Sequence, residues 1–427
     1  MSDSEISLKI GPIIGNALSI FGDTISQSLS FEEITNDKDI LKTIDTLRLN
    51  TQFAREDIEI FKKYEEFFTS DSAGNFYQSF ISHYIENQSS MFKDINSEFL
   101  SISFFFRYNC IIWNLSDISI ELCTKLTSNK SYHLLLKFLQ LEAIFNPKNI
   151  DCSLRIKIIH SCLGILHNIL NTNTLVRSDY RKFDAVKILC KFANEDSENA
   201  KFTATAAFMQ LAFILNDKEY EQFNLIEEKI KELLIYLNDS LFEENRYSTS
   251  YGYHSEEILV ALKHLAGSER NKKIMLENNI LSSIKSGLLK ALELQNNNKN
   301  DIDATNKLAQ LNLKLLWSLS FAQKSLEIVK PFKDFHAILN QFNDSKWPYG
   351  CRQTSQGILW NITQQDKEHL IGLEKTTKTG HVMISYNHKT QDLMLKVKKS
   401  LEDNGYKVWM DVDYKSWFYL LSFPSRF

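Results

Sequence analysis

The chain has 427 residues, of which only 13 are glycine and 5 proline, where average usage would give about 50 of the two together. That shortage excludes collagen-like, low-complexity and turn-dense all-β architectures and predicts long helices joined by short polar loops. With 49 Lys and Arg against 53 Asp and Glu the net charge is −4, so bulk electrostatics give no reason to expect nucleic acid or an acidic membrane as partner.

At the N-terminus, MSDSEISLKIGPIIG carries acidic residues where a secretory leader needs a basic segment, so no leader is expected. No run of 18 apolar residues occurs. The densest stretch, Phe104 to Leu115, is broken by Arg107 and Asn109, so no transmembrane segment is expected either. Residues 1–100 read as a helical or capping region. The cysteines show no Cys-x-x-Cys spacing, which fits buried thiols of a reducing compartment and a cytoplasmic protein.

From about residue 100 one hydrophobic phrase returns. It reads Cys110-Ile111-Ile112-Trp113-Asn114-Leu115-Ser116, then Gly164-Ile165-Leu166-His167-Asn168-Ile169-Leu170. A weaker copy ends at Ile214, further copies align at Leu265 and Leu319, and the last is Gly357-Ile358-Leu359-Trp360-Asn361-Ile362-Thr363. Aligned on the final Leu or Ile, the copies are spaced 54, 45, 51, 54 and 43 residues apart. HEAT and armadillo repeats run to about 40–47 residues, so the longer intervals need insertions. The polar stretch Phe242 to Ser248 and the Asn-rich stretch Gln295 to Asp301 supply them. Asn278-Asn279 is placed where one short helix stops and the next begins, with Ile280, Leu281, Ile284 and Leu288 recurring at helical spacing.

These phrases resemble the third helix of armadillo repeats, over roughly residues 101–370. The resemblance implies a mainly α, superhelical solenoid with a groove lined by those helices, in which asparagines bond an extended peptide backbone. By position, Asn114, Asn168 and Asn361 match that role, while Phe213, His264 and Ser318 occupy the slot in the other copies. His264 is included with the three asparagines as a candidate partner contact. The alternative is that Trp113, Trp317 and Trp360 are core residues and the asparagines are caps or solvated positions.

After Ile362 the pattern changes. Residues 371–380 form a polar linker, and His381-Val382-Met383-Ile384-Ser385-Tyr386 reads as a short buried strand. Leu393, Met394, Val397 and Leu401 mark an amphipathic helix with Gly405 as its C′ residue, and Tyr406 to Val412 reads as a second strand. Strand, helix, strand over so short a stretch is a βαβ unit with parallel strands. "HVMISYN" and "GYKVWMDVD" resemble the opening of a TIR (Toll/interleukin-1 receptor homology) domain, a flavodoxin-like α/β module. The resemblance implies loop or interface roles for Ser385, Tyr386, Asn387, Trp409 and Asp411. It also implies protein partners, other TIR-domain proteins among them, in cytoplasmic signal transduction of an innate-immune kind.

Five βα units need about 125 residues, whereas residues 381–427 number 47. The expected module is therefore partial. TIR enzymes that cleave NAD use a glutamate on the third helix, and residues 381–427 offer no counterpart. The expectation is a binding scaffold with no catalytic residue, no cofactor and no metal. An NAD glycohydrolase regulated by the armadillo array is the alternative, if the missing half is supplied elsewhere. Cys152, His160, Cys162 and His167 crowd together, but their separations match no common zinc pattern.

Overall fold

A computed structural model describes residues 3–27, 31–55, 57–87, 95–141, 152–195, 201–216, 219–220, 226–296, 302–321, 334–371, 381–384, 391–403 and 406–410. Its elements are α1 (Asp3–Ser26), α2 (Phe31–Asn36), α3 (Lys38–Asn50), α4 (Ile58–Phe68), α5 (Asp71–Glu86), α6 (Ile95–Ser116), α7 (Ile120–Ser128) and α8 (Ser131–Leu139). Next come α9 (Cys152–Thr172), α10 (Val176–Lys182), α11 (Ala185–Ala193), α12 (Lys201–Ile214), α13 (Ile226–Phe242), α14 (Ser255–Leu265), α15 (Glu269–Glu277) and α16 (Ile280–Asn296). The last are α17 (Ile302–Leu319), α18 (His336–Gln341), α19 (Tyr349–Ile371), β1 (His381–Ile384), α20 (Gln391–Asp403) and β2 (Lys407–Met410). The described chain is mainly helical. It divides into two compact units, Met1–Ser283 and Ile284–Phe427.

Within the first unit the phrases form the backbone of the packing. Helix α3 packs on α6, α6 on α9, α9 on α12 and α12 on α14. Helices α11 and α13 pack on this row, against α12 and α14 respectively. Such a row buries a continuous core only because each helix has neighbours on two sides. Helix α12 shows the consequence: from Thr203 to Ile214 every side chain is buried, so its sequence carries no polar stripe. At the N-terminal end an aromatic cluster fills the core. Phe21 of α1 meets the Phe76 ring edge-on at 5.7 Å, and Phe76, Phe104 and Tyr108 pack around it.

Local sequence sets the helix limits. Asp37 and Asp57 cap α3 and α4, each carboxylate accepting two backbone N–H groups of the first turn. Asn279 adopts a left-handed φ of 62° between α15 and α16, where the Asn278-Asn279 pair was expected to separate two helices. In the insertion after α13, Arg246 has a φ of 60° and Tyr247 pairs with His254 as an isolated bridge.

In the second unit α17 packs on α19. The strands β1 and β2 pair in parallel, His381 opposite Lys407 and Ile384 opposite Met410, with α20 between them in sequence and packed on β2. A bond from Tyr406 N to Leu401 O, 3.0 Å long, closes α20 as the six-to-one bond of a helix stop does. The βαβ unit expected from the sequence is thus present. Among the described residues the sheet has two strands, so the flavodoxin-like part of the expected fold class extends no further than this unit. The linker expected at 371–380 lies outside the described residues except for its first position.

Candidate functional site

Of the six slots that the repeated phrase offers, five divide into two kinds, and Ser318 belongs to neither. In the first kind an asparagine amide is donated back to the preceding helix. Asn168 Nδ2 donates to Ser116 Oγ at 3.0 Å and to Trp113 O at 3.2 Å, while Ser116 Oγ itself donates to Trp113 O at 2.9 Å. Asn361 Nδ2 donates to Ser320 Oγ at 2.9 Å, and Ser320 Oγ donates to Trp317 O at 2.7 Å. Asn114 Nδ2 donates to Thr51 Oγ1 at 2.8 Å, and Thr51 Oγ1 donates to Arg48 O at 2.8 Å. The same relay therefore occurs three times: amide, hydroxyl, carbonyl three residues earlier.

A steric pairing runs beside it. The Trp113 indole lies over Gly164, where an added Cβ would fall 2.3 Å from Cε2 and Nε1. The Trp317 indole lies over Gly357, where an added Cβ would be 3.4 Å away. At position 164 the glycine is what lets the tryptophan of the previous copy lie across it, while at 357 a Cβ would meet the ring at ordinary contact distance.

These contacts show what the asparagine amides bond within the chain. Asn168 and Asn361 are buried, at 6% and 7% exposure, and Asn168 spends both amide hydrogens inside the stack. They tie successive helices together. The tryptophans are not core residues: Trp113 is half-buried, while Trp317 and Trp360 are 36% and 43% exposed. The contributors that sequence reasoning missed are Thr51, Ser116, Ser320, Gly164 and Gly357. The Ser in "Trp-Asn-Leu-Ser" and "Trp-Ser-Leu-Ser" was the available signal.

The second kind of slot is aromatic. Phe213 and His264 have ring centroids 4.6 Å apart, and His167 stands edge-on to Phe213 at 5.3 Å. Arg177, from the first turn of α10, lies 5.0 Å above the Phe213 ring and brings Nη2 to 3.4 Å from His264 Nε2. Burial pushes the His264 imidazole down to about 3, with Lys263, Arg177 and His167 adding to the effect. His264, offered by the sequence as a partner contact, thus belongs to a basic cluster instead of an amide ladder.

Other chemistry is sparse. A cavity of about 20 Å³ lies between Trp113, His160, His167, Asn168, Tyr253 and Glu257, room for about one water. Burial lowers His160 to about 4 and raises the Cys110, Cys123 and Cys351 thiols to about 12, 11 and 11, far from nucleophilic. Among the described residues no group of three or more His, Cys, Asp or Glu could hold a metal ion, and no helix is long and apolar enough to cross a membrane. Ser385, Tyr386, Asn387 and Asp411 lie outside the described residues. Trp409 is placed on β2, opposite Met383 in backbone register.

No protein-family model and no curated protein matches the chain. Solved structures similar to the chain include engineered proteins. One is designed armadillo repeat protein YIII(Dq)4CqI, 14% identical with a TM-score of 0.39, covering 65% of this chain and 99% of that one. A second, designed armadillo repeat protein YIII(Dq.V1)4CPAF in complex with peptide (KR)4, is 16% identical with a TM-score of 0.37, covering 66% and 98%. A third engineered protein is 12% identical with a TM-score of 0.37, covering 67% and 97%. At such scores the neighbours add nothing to the helix packing described above.

Proposed function

We propose that the chain is a protein-interaction scaffold, an armadillo-like helical array whose phrase helices receive a polypeptide partner. The observation that carries this reading is the pair of exposed indoles, Trp317 and Trp360, on α17 and α19. Phe321, 58% exposed, stands 6.3 Å from the Trp317 ring. Their neighbours in each phrase, Leu316, Leu319, Ile358 and Ile362, are buried. Large amphipathic rings held rigid at low entropic cost are the side chains on which protein interfaces concentrate their binding energy. The stack already uses the Asn168 amide, so the partner contact is assigned to the rings and not to a ladder of asparagines.

In the same reading β1, α20 and β2 are the opening of a TIR-like module, supported by the "HVMISY" motif and the parallel strand order. Its partners would be other TIR-domain proteins in cytoplasmic signalling. The scaffold needs no cofactor and no catalytic residue. Selection of a displayed random-peptide library on the full chain tests the proposal. Selected peptides should lose at least ~10-fold in affinity on Trp317→Ser/Trp360→Ser, as truncation of central aromatic anchors does. Equal affinity for both proteins would refute it.

A further inference from the structure

The slots where the amide relay is interrupted are not empty of chemistry. Phe213 and His264 stand there in succession, and Arg177 from α10 spans both. Elsewhere in the first unit, Arg48 and Arg107 meet Asp45, Arg155 meets Glu195, Arg181 meets Glu219 and Arg246 meets Glu256. Arg177 meets an imidazole. Its Nε is buried and has no hydrogen-bond acceptor. The carboxylate on its own helix, Asp179, is taken by Tyr132, His133 and Lys182. A half-buried guanidinium whose Nε finds no acceptor keeps an unmet donor that an anion would satisfy.

We propose that Arg177 and His264 form an oxyanion subsite, taking a carboxylate or phosphate group of a ligand across the Phe213 ring. Arg177 donates from its fork, and His264 donates from Nε2 after taking one proton from solvent, so binding is accompanied by uptake of a proton. The groups facing His264 are Arg177 from α10, His167 from α9 and Lys263 from its own helix. Burial first, and these basic neighbours second, hold the imidazole neutral, and a bound oxyanion opposes both effects. The proposal draws on the interaction-face reading only for the source of the anion.

The test uses the full chain with isotope-labelled histidine, the His264 resonance being assigned by its loss in His264→Gln. Inorganic phosphate and hexaglutamate are titrated separately, and the pH at which His264 protonates is followed in each. The expected result is a rise of about three pH units or more, to about 6, with one probe or both, and an affinity at least ~10-fold weaker in Arg177→Gln. A rise with phosphate alone assigns the site to phosphate groups. A rise with hexaglutamate alone assigns it to peptide carboxylates. Arg177→Lys, which keeps the charge but loses the fork, should bind more weakly than the native protein while melting at a similar temperature. A resonance that neither probe moves in the native chain would overturn the proposal, whatever the variants do. Because no partner is present, failure of the tryptophan face would leave this titration unchanged.

Discussion

Gly164 and Trp113 show how much of this stack is decided by single side chains. A methyl group at 164 would sit 2.3 Å from the indole, so Gly164→Ala must displace the ring or the helix and should destabilise the protein by about 1–3 kcal/mol. Gly357→Ala meets the Trp317 ring at ordinary contact distance and should change stability by less than about 0.5 kcal/mol. Urea unfolding of both variants checks the contrast. The Asn168–Ser116 bond makes a second claim. Each alanine variant should lose about 1 kcal/mol, and the double variant should lose less than the sum, because one relay is broken in either case. Strict additivity would show that the relay contributes nothing as a unit. Protonation supplies a third. His160 and His264 titrate in the folded chain near 4 and 3, below the ordinary 6.5. The unfolded chain therefore binds more protons in that window, and stability, full above pH 6.5, is lost as pH falls through it. The slope reaches ~1.4 kcal/mol per pH unit for each histidine. Thermal unfolding between pH 7 and pH 5 should be flatter for His160→Gln than for the native chain.

At the scale of the element, capping aspartates fix where helices begin. Asp57 accepts from Glu59 N at 2.8 Å and Ile60 N at 3.1 Å, so Asp57→Ala should cost about 1 kcal/mol, measurable by the same unfolding assay. Helices were the most readable feature of the chain, because Leu, Ile and Trp recur with the helical period and Asn278-Asn279 marks a boundary. The βαβ order was readable for the same reason, the apolar runs changing period at Gly380. Helix α3 escaped recognition as a further member of the row. Its Leu47-Arg48-Leu49-Asn50-Thr51 has neither the tryptophan nor the aligned asparagine of the phrase, yet Thr51 accepts the Asn114 amide. The relay was hidden because its partners lie 63, 52 and 41 residues apart, and insertions between copies destroy any fixed spacing. Arg177 was less visible still. It lies in a seven-residue polar helix, 87 residues before the histidine it contacts, and no local pattern reports such a pairing.

The whole molecule comprises two units that each present phrase helices, with the slots put to different uses. In the first unit the relay at Asn168 gives way to the Arg177–Phe213–His264 cluster. In the second, the relay at Asn361 lies beside exposed tryptophans. Binding energy is therefore placed on the rings and on the basic cluster, while the asparagines hold the register of the stack. Trp360→Ser should shift stability by no more than about 0.5 kcal/mol, as a surface substitution away from caps and buried networks does, while Trp317→Ser also gives up the packing of the indole on Gly357 and should cost more. The most direct measurement is amide hydrogen exchange of the full chain with and without a library-selected peptide. Slower exchange confined to α17 and the first half of α19, absent in Trp317→Ser/Trp360→Ser, is the predicted result. Protection that falls on other helices, or that persists in the double variant, would contradict the assignment of the phrase-helix face as the binding surface.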